Sequence, residues 1–226
     1  MQSQDAPTAF LFKFWPWLEA NKTRVIVGTA IILVAIFLYS FMSWRGEQKE
    51  IEAGRTVTGL ALTLPPDSGP SQWAEAYLKI AGQFPDTRAG RRAWLQGAAA
   101  LFNAGRFADA QSEFQKFLEA HPDGDFSASA ALGVAASLEA LGKLDSAASA
   151  YQRVLSGFSS DIVAVNAAKF ALARIDGRLG KITDALNYYE SIARNSPGGP
   201  PAQEAAMQAM ELRTKMTPAT AAAGQP

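Results

Sequence analysis

The chain has 226 residues, is 48% hydrophobic and 19% charged, and its 21 Lys and Arg cancel its 21 Asp and Glu. That balance excludes a protein whose main task is coating nucleic acid, because phosphate binding needs a cationic surplus. No Cys and a single His exclude a disulfide framework, a thiolate zinc site, a Cys nucleophile and a multi-histidine metal centre. Forty-three alanines favour helices that pack closely on one another, since alanine is the strongest helix former.

Residues 1–24 form a short N-terminal tail. Phe10, Phe12, Phe14, Trp15 and Trp17 read as a surface-lying aromatic segment, broken by Pro16. Asn21 is a candidate cap for the helix that follows. From Val25 to Trp44 there are twenty residues without a charge, bounded by Arg24 and Arg45. At 1.5 Å per residue such a helix is about 30 Å long, the thickness of a bilayer's hydrocarbon core. A soluble core helix of this composition would need apolar partners on every face.

A cleaved signal peptide is the rival reading. Its apolar region would be about 7–15 residues long and would end near small residues. This run is longer, and its exit from Tyr39 to Trp44 is bulky. No Cys follows for lipoprotein processing. The expectation is therefore a retained transmembrane signal anchor at 25–44, with Tyr39 and Trp44 at its far interface.

Charge does not orient this span. Lys13, Lys22 and Arg24 precede it, and Arg45, Lys49 and Arg55 follow closely. A short N-tail and a long C-terminal portion are the ordinary layout of an anchor whose N-terminus stays in the cytoplasm, and that orientation is expected. Gly28, Ala30 and Ala35 are small, but no GxxxG spacing favours association of spans.

Residues 45–70 read as a linker: a helix at 45–63, then a Pro-rich loop from Pro65 to Pro70. Beyond it, helices are expected at 71–84, 88–104, 107–120, 126–141, 144–157, 161–179, 182–195 and 201–216, with 217–226 a disordered tail. The chain repeats itself in this region. Gly105, Gly142 and Gly180 are spaced 37 and 38 apart. Ala110, Ala147 and Ala185 follow the glycines by five, and Phe114, Tyr151 and Tyr189 follow the alanines by four. Phe117, Val154 and Ile192 come next, and Pro122, Ser159 and Pro197 close the units. Tyr77, Ile80 and Pro85 hold the same relative places upstream. A period of this length signals a helical array.

The unit from Arg91 to His121 resembles the tetratricopeptide repeat. Trp94 holds its tryptophan position, Ala98 its small eighth position, and Gly105, Ala110, Phe114 and Pro122 match further on, with Leu101 where the family has Tyr. Ala135, Leu138, Gly142, Ala147 and Tyr151 match in the second unit. Ala173, Gly180, Ala185, Tyr189 and Pro197 match in the third, which departs at Asp176, where an apolar residue is expected. The resemblance covers roughly residues 70–216 and implies an all-α fold: one transmembrane helix, then a right-handed array of helical hairpins at 71–216, closed by a polar-faced capping helix. Small residues let helices A and B of one hairpin approach closely. The glycine turns the chain between them, and the large residue four after the alanine plugs the next hairpin.

The remaining polar features read as structural. His121 ends a helix beside Pro122, near the helix's negative end. Asp123 and Asp125 around Gly124 lack the glutamate that would complete a calcium loop. Gly198 and Gly199 lack the Lys and Ser or Thr of a phosphate loop and read as a hinge. Asp176 and Arg178 could face a partner, but a solvated helix face is the preferred reading. No nucleophile–base pair and no paired carboxylates emerge, so no catalytic, cofactor-binding or metal-ligating residues are assigned and no enzyme is expected.

The resemblance further implies a protein-binding scaffold whose A helices line a groove. Groove positions would be Arg92, Leu95, Ala99 and Phe102, then Leu132, Ala136 and Glu139, then Phe170 and Arg174. Leu95, Leu132 and Phe170 could equally be packed within the array. The family's clamp for terminal carboxylates, built on Lys and Asn, is missing here, and an apolar groove suits a helix or an extended hydrophobic segment. The overall layout is also similar to bacterial single-pass inner-membrane tetratricopeptide proteins that accompany the Sec translocon and periplasmic chaperones. That similarity implies a periplasmic repeat domain that holds translocon subunits, chaperones or emerging chains. The alternative is a self-associating structural component of an envelope or cell-division complex.

Overall fold

The computed structural model describes residues 17–65, 67–195 and 199–222. Among them there is helix but no strand. The helices are α1 (Lys22–Thr63), α2 (Pro70–Gln83), α3 (Arg88–Asn103), α4 (Phe107–Ala120), α5 (Ser127–Ala140), α6 (Leu144–Gly157), α7 (Ile162–Arg178), α8 (Ile182–Asn195) and α9 (Pro200–Ala222). The chain divides into two units, Met1–Glu52 and Ala53–Pro226.

In the first unit, α1 is the one helix among the described residues long and apolar enough to cross a membrane, and none of its apolar window is buried by protein. A membrane anchor and a signal sequence both fit that description. The linker helix expected at 45–63 is the same helix as the span, because nothing between Trp44 and Thr63 is a proline that would break it. Phe37 stacks on Phe41 at 6.3 Å, and the Arg45 guanidinium lies 5.7 Å from the Phe41 ring. Asn21 does not cap α1 with its side chain. Its amide nitrogen donates to the Trp17 carbonyl at 3.0 Å, closing the preceding turn, while its own carbonyl accepts from the Val25 N–H. The aromatic residues Phe10 to Trp15 and Pro16 lie outside the described residues.

From α2 to α9 each helix packs on the next in chain order. The turns inside the hairpins are three copies of one device. Gly105, Gly142 and Gly180 have φ of 75°, 76° and 75°, a conformation that costs other L-residues about 1–2 kcal/mol. Each glycine N–H returns to a carbonyl three residues back, and the next N–H to one five back, as from Arg106 to Leu101, Lys143 to Leu138 and Lys181 to Asp176. These bonds satisfy helix-end carbonyls that would otherwise be orphaned.

Packing follows the same period. Ala110, Ala147 and Ala185 are completely buried, as are Ala98 and Ala135, with Ala173 at 1%. Phe114, Tyr151 and Tyr189 are buried plugs, and Phe117, Val154 and Ile192 are sealed beneath them. Gly133 lets the Phe114 plug in: a Cβ there would lie 2.6 Å from the Phe114 ring. Val57 and Leu60 pack against Ile80, Ala81 and Ala93, so the end of α1 touches α2 and the start of α3.

The connections between hairpins are capped individually. Thr87 Oγ1 accepts from the Gly90 N–H at 2.9 Å, and Asp161 Oδ1 from the Ala164 N–H at 3.0 Å. Pro70 opens α2, where its missing N–H costs nothing. Asp125, beside Gly124, pairs with Arg88 at 3.1 Å. His121 does more than neighbour a helix end. Its ring packs against Phe117 at 5.0 Å and Trp94 at 6.4 Å. Asp176 is half-buried rather than apolar-packed. Ile175, one residue earlier and fully buried, fills the core, while Asp176 faces Lys181 at 4.0 Å. Burial, and secondarily Asp184, holds the Asp176 carboxyl above its ordinary value.

The polar capping helix is α9, which buries Ala202, Ala205 and Ala209 and leaves Met207 and Met210 exposed. It continues to Ala222, past Pro218 and into the stretch expected to be a tail. At its start, the Gly199 carbonyl accepts from the Ala202 and Gln203 N–H groups, so Gly199 serves as a helix start. Pro197 and Gly198 lie outside the described residues.

Candidate functional site

Three A helices in succession line one open cavity of about 420 Å³. Phe102 comes from α3, Ala136, Glu139 and Ala140 from α5, and Arg174 and Arg178 from α7, with the turn residue Gly142 beside them. Each of the three A helices ends on the same kind of left-handed glycine turn, at Gly105, Gly142 and Gly180. The last turn of α5 lies between those of its neighbours.

Glu139 is the centre of the site. Its side chain is only 11% exposed, and a carboxylate so enclosed needs partners. Arg174 supplies two, with Nε donating to Oε1 at 2.9 Å and Nη2 to Oε2 at 2.7 Å. This forked geometry is among the stronger charge-assisted arrangements. The Tyr151 hydroxyl donates to Oε2 at 3.2 Å, and Arg178 Nη1 stands 3.9 Å from Oε1. The hydrogen bond to Glu139 holds the Arg174 guanidinium above its ordinary pKa. Burial, followed by the charge of Glu139, pushes the Tyr151 phenol well above its ordinary value.

Of the nine residues assigned to a groove, Phe102, Ala136, Glu139 and Arg174 are brought together here. Ala99 lines a neighbouring cavity of about 450 Å³ with Trp73, Tyr77, Gln96 and Asn103. In that wall the Gln96 side-chain oxygen is buried without a hydrogen-bond partner among the described residues. Leu95 and Leu132 pack against the main core, and Phe170 packs edge-on against Tyr189 at 5.7 Å. Arg92 is exposed and lines neither cavity.

Arg178, Ala140 and the hydroxyl of Tyr151 belong to the site and were not assigned to it from the sequence. Arg178 lies four residues after Arg174, hence on the same helix face, and that spacing was the signal available. Among the described residues no group of three or more His, Asp or Glu is placed to hold a metal ion.

Stacked hairpins with a concave polar-and-apolar cavity define a helical-repeat scaffold for protein–protein interaction. A family model described as a tetratricopeptide repeat-like domain matches residues 15–158, and the chain belongs to that family. The match takes in the apolar helix as well as the hairpins through α6. The third hairpin, α7 and α8, lies beyond it and is assigned from its glycine spacing and burial. A comparison with curated proteins finds no match.

Proposed function

We propose that this protein is a membrane-tethered adaptor: α1 anchors it in a bacterial inner membrane, and the hairpin array docks other proteins in the periplasm. The observation that carries this reading is the cavity formed by three successive A helices in a chain whose α1 exposes an unbroken apolar surface. A surface of that kind is stable in lipid and unfavourable in water. Repeat arrays present concave surfaces because each hairpin is rotated slightly against the last. The layout supports a role beside the secretion machinery, with translocon subunits, periplasmic chaperones or emerging chains as partners.

Site-specific photo-crosslinking in membranes tests it. A photoreactive residue at Ala136 is expected to give heterotypic adducts, while one at the exposed Ser156 on α6 gives none. Equal labelling at both positions, or none at Ala136, refutes a docking role for the cavity. A second reading, self-association, is favoured by the exposed Met207 and Met210 on the terminal helix (66% and 68%). Homotypic adducts from Met207, with none from Ala136, would establish it instead.

A further inference from the structure

The chemistry of the cavity specifies its occupant more narrowly than a docking groove in general. This inference rests on the adaptor reading above. The lining holds two guanidiniums and one carboxylate. The carboxylate is already engaged: Arg174 grips both of its oxygens and Tyr151 donates to one. Arg178, at 3.9 Å, lies within reach of the charge of Glu139 but beyond hydrogen-bond length, and its side chain is 56% exposed. Glu139 therefore fixes Arg174 in place, and the cavity keeps one positive charge in excess. Arg178 retains hydrogen-bonding capacity in a rigid planar fork that matches a carboxylate. Beside it, Phe102, Ala136 and Ala140 form an apolar wall, so the site offers a cationic fork next to a hydrophobic surface.

We infer that the cavity over α3, α5 and α7 docks a segment of another protein that carries an Asp or Glu side chain next to a large apolar one, with Arg178 receiving the carboxylate and Phe102 the apolar group. A groove of this composition rejects a basic segment, because a Lys or Arg would meet Arg174 and Arg178 with no unengaged carboxylate in the lining to pair with. Glu139 acts as a positioning residue for Arg174.

The test is selection of a random 12-residue peptide library, displayed on phage, against the full chain in lipid nanodiscs. The wild-type chain is expected to enrich sequences with an acidic residue beside an aromatic or branched apolar one. The Arg178→Glu variant is expected to lose that enrichment and to favour Lys or Arg. Arg178→Glu brings a second carboxylate toward Glu139 and should lower the melting temperature, so retained circular dichroism is the folding criterion for it, while Arg178→Gln adds no charge and should keep the wild-type fold as the second variant. For the best wild-type peptide, replacing its acidic residue by the amide should weaken binding at least tenfold. Arg178→Gln should weaken the acidic peptide to a similar degree while leaving the amide peptide unchanged.

Enriched peptides that are purely apolar and are displaced by Ala136→Trp would overturn the acidic specificity and leave the docking face standing. Acidic peptides held equally by Arg178→Glu would do the same. If nothing is enriched against the wild-type chain, both the specificity and the docking face fall.

Discussion

Replacing Ala110 by Asp puts the register of the repeats at risk in a single experiment. Ala110 is 0% exposed, on α4, where α4 packs against its neighbours. A carboxylate in that space has no partner, so it protonates rather than remain charged. Holding an Asp protonated at pH 7 costs about 4 kcal/mol, from the gap between pH 7 and its ordinary pKa of about 3.9. Overpacking adds about 1–3 kcal/mol, and the lower helix propensity of Asp adds about 0.5.

The sign with pH follows. The new carboxyl would have a raised pKa in the folded state, so its ionisation penalty is absent below about pH 3.9 and grows as pH rises above that value. Relative to wild type, Ala110→Asp should lose about 4 kcal/mol more stability at pH 7 than at pH 4. Ala108→Asp, on the exposed side of the same helix, should lose well under 1 kcal/mol at either pH. Thermal unfolding of the full chain in detergent, followed by circular dichroism, reads the difference. Hydrogen exchange locates it, since repeat arrays open in pieces and α3 to α5 should lose protection before α8 does. A variant at Ala110 that melts like the one at Ala108 would refute the assigned register.

Three further outcomes follow from the same packing. Tyr151 is 4% exposed and its phenol is held above the ordinary value of 10.0. Its contribution is therefore complete below about pH 10 and is lost as pH rises through the folded-state pKa, at about 1.4 kcal/mol per unit. Melting temperatures taken from pH 9 to 11 should fall more steeply for wild type than for Tyr151→Phe. Gly142→Ala meets no atom within 4 Å but must hold φ of +76°, so equilibrium unfolding should show a loss of about 1 kcal/mol. Gly133→Ala has the opposite problem, an ordinary φ and a Phe114 ring 2.6 Å from the new Cβ. Its loss of about 1–2 kcal/mol should be partly relieved by adding Phe114→Leu. Finally, alkaline phosphatase fused after residue 226 should be active in intact cells if the array is periplasmic, and inactive if the array faces the cytoplasm.

Much of the array was legible because each repeat position has one physical task that few residue types perform. A left-handed turn selects glycine, and Gly105, Gly142 and Gly180 all adopt it. A close approach of two helices selects alanine, and Ala110, Ala147 and Ala185 are all sealed. Where a task can be done in more than one way, the reading failed. Asn21 is as competent to end one turn as to start the next helix, and the outcome depends on whether the Trp17 carbonyl is within reach. The apolar gap at Asp176 looked like a defect because the period was read as rigid. In fact α7 fills its core with Ile175 and turns Asp176 toward Lys181.

The groove was harder to read for a geometric reason. Periodicity places a residue on the inner or outer side of helix A, but it does not say how far the next hairpin is displaced along the helix axis. That displacement decided the fate of the nine groove positions. Leu95, Leu132 and Phe170 went into the packing between helices, while Phe102, Ala136, Glu139 and Arg174 met at one cavity. Arg174, the hydrogen-bonded partner of Glu139, lies 35 residues away, three short of the 38-residue spacing from Gly142 to Gly180 that separates their two repeats. The partners of Glu139 thus straddle its repeat-equivalent position, Arg174 before it and Arg178 just after it. An acid on one A helix with two basic residues four apart on the next is therefore a readable sign of a charged groove, provided both sides of the repeat-equivalent position are searched.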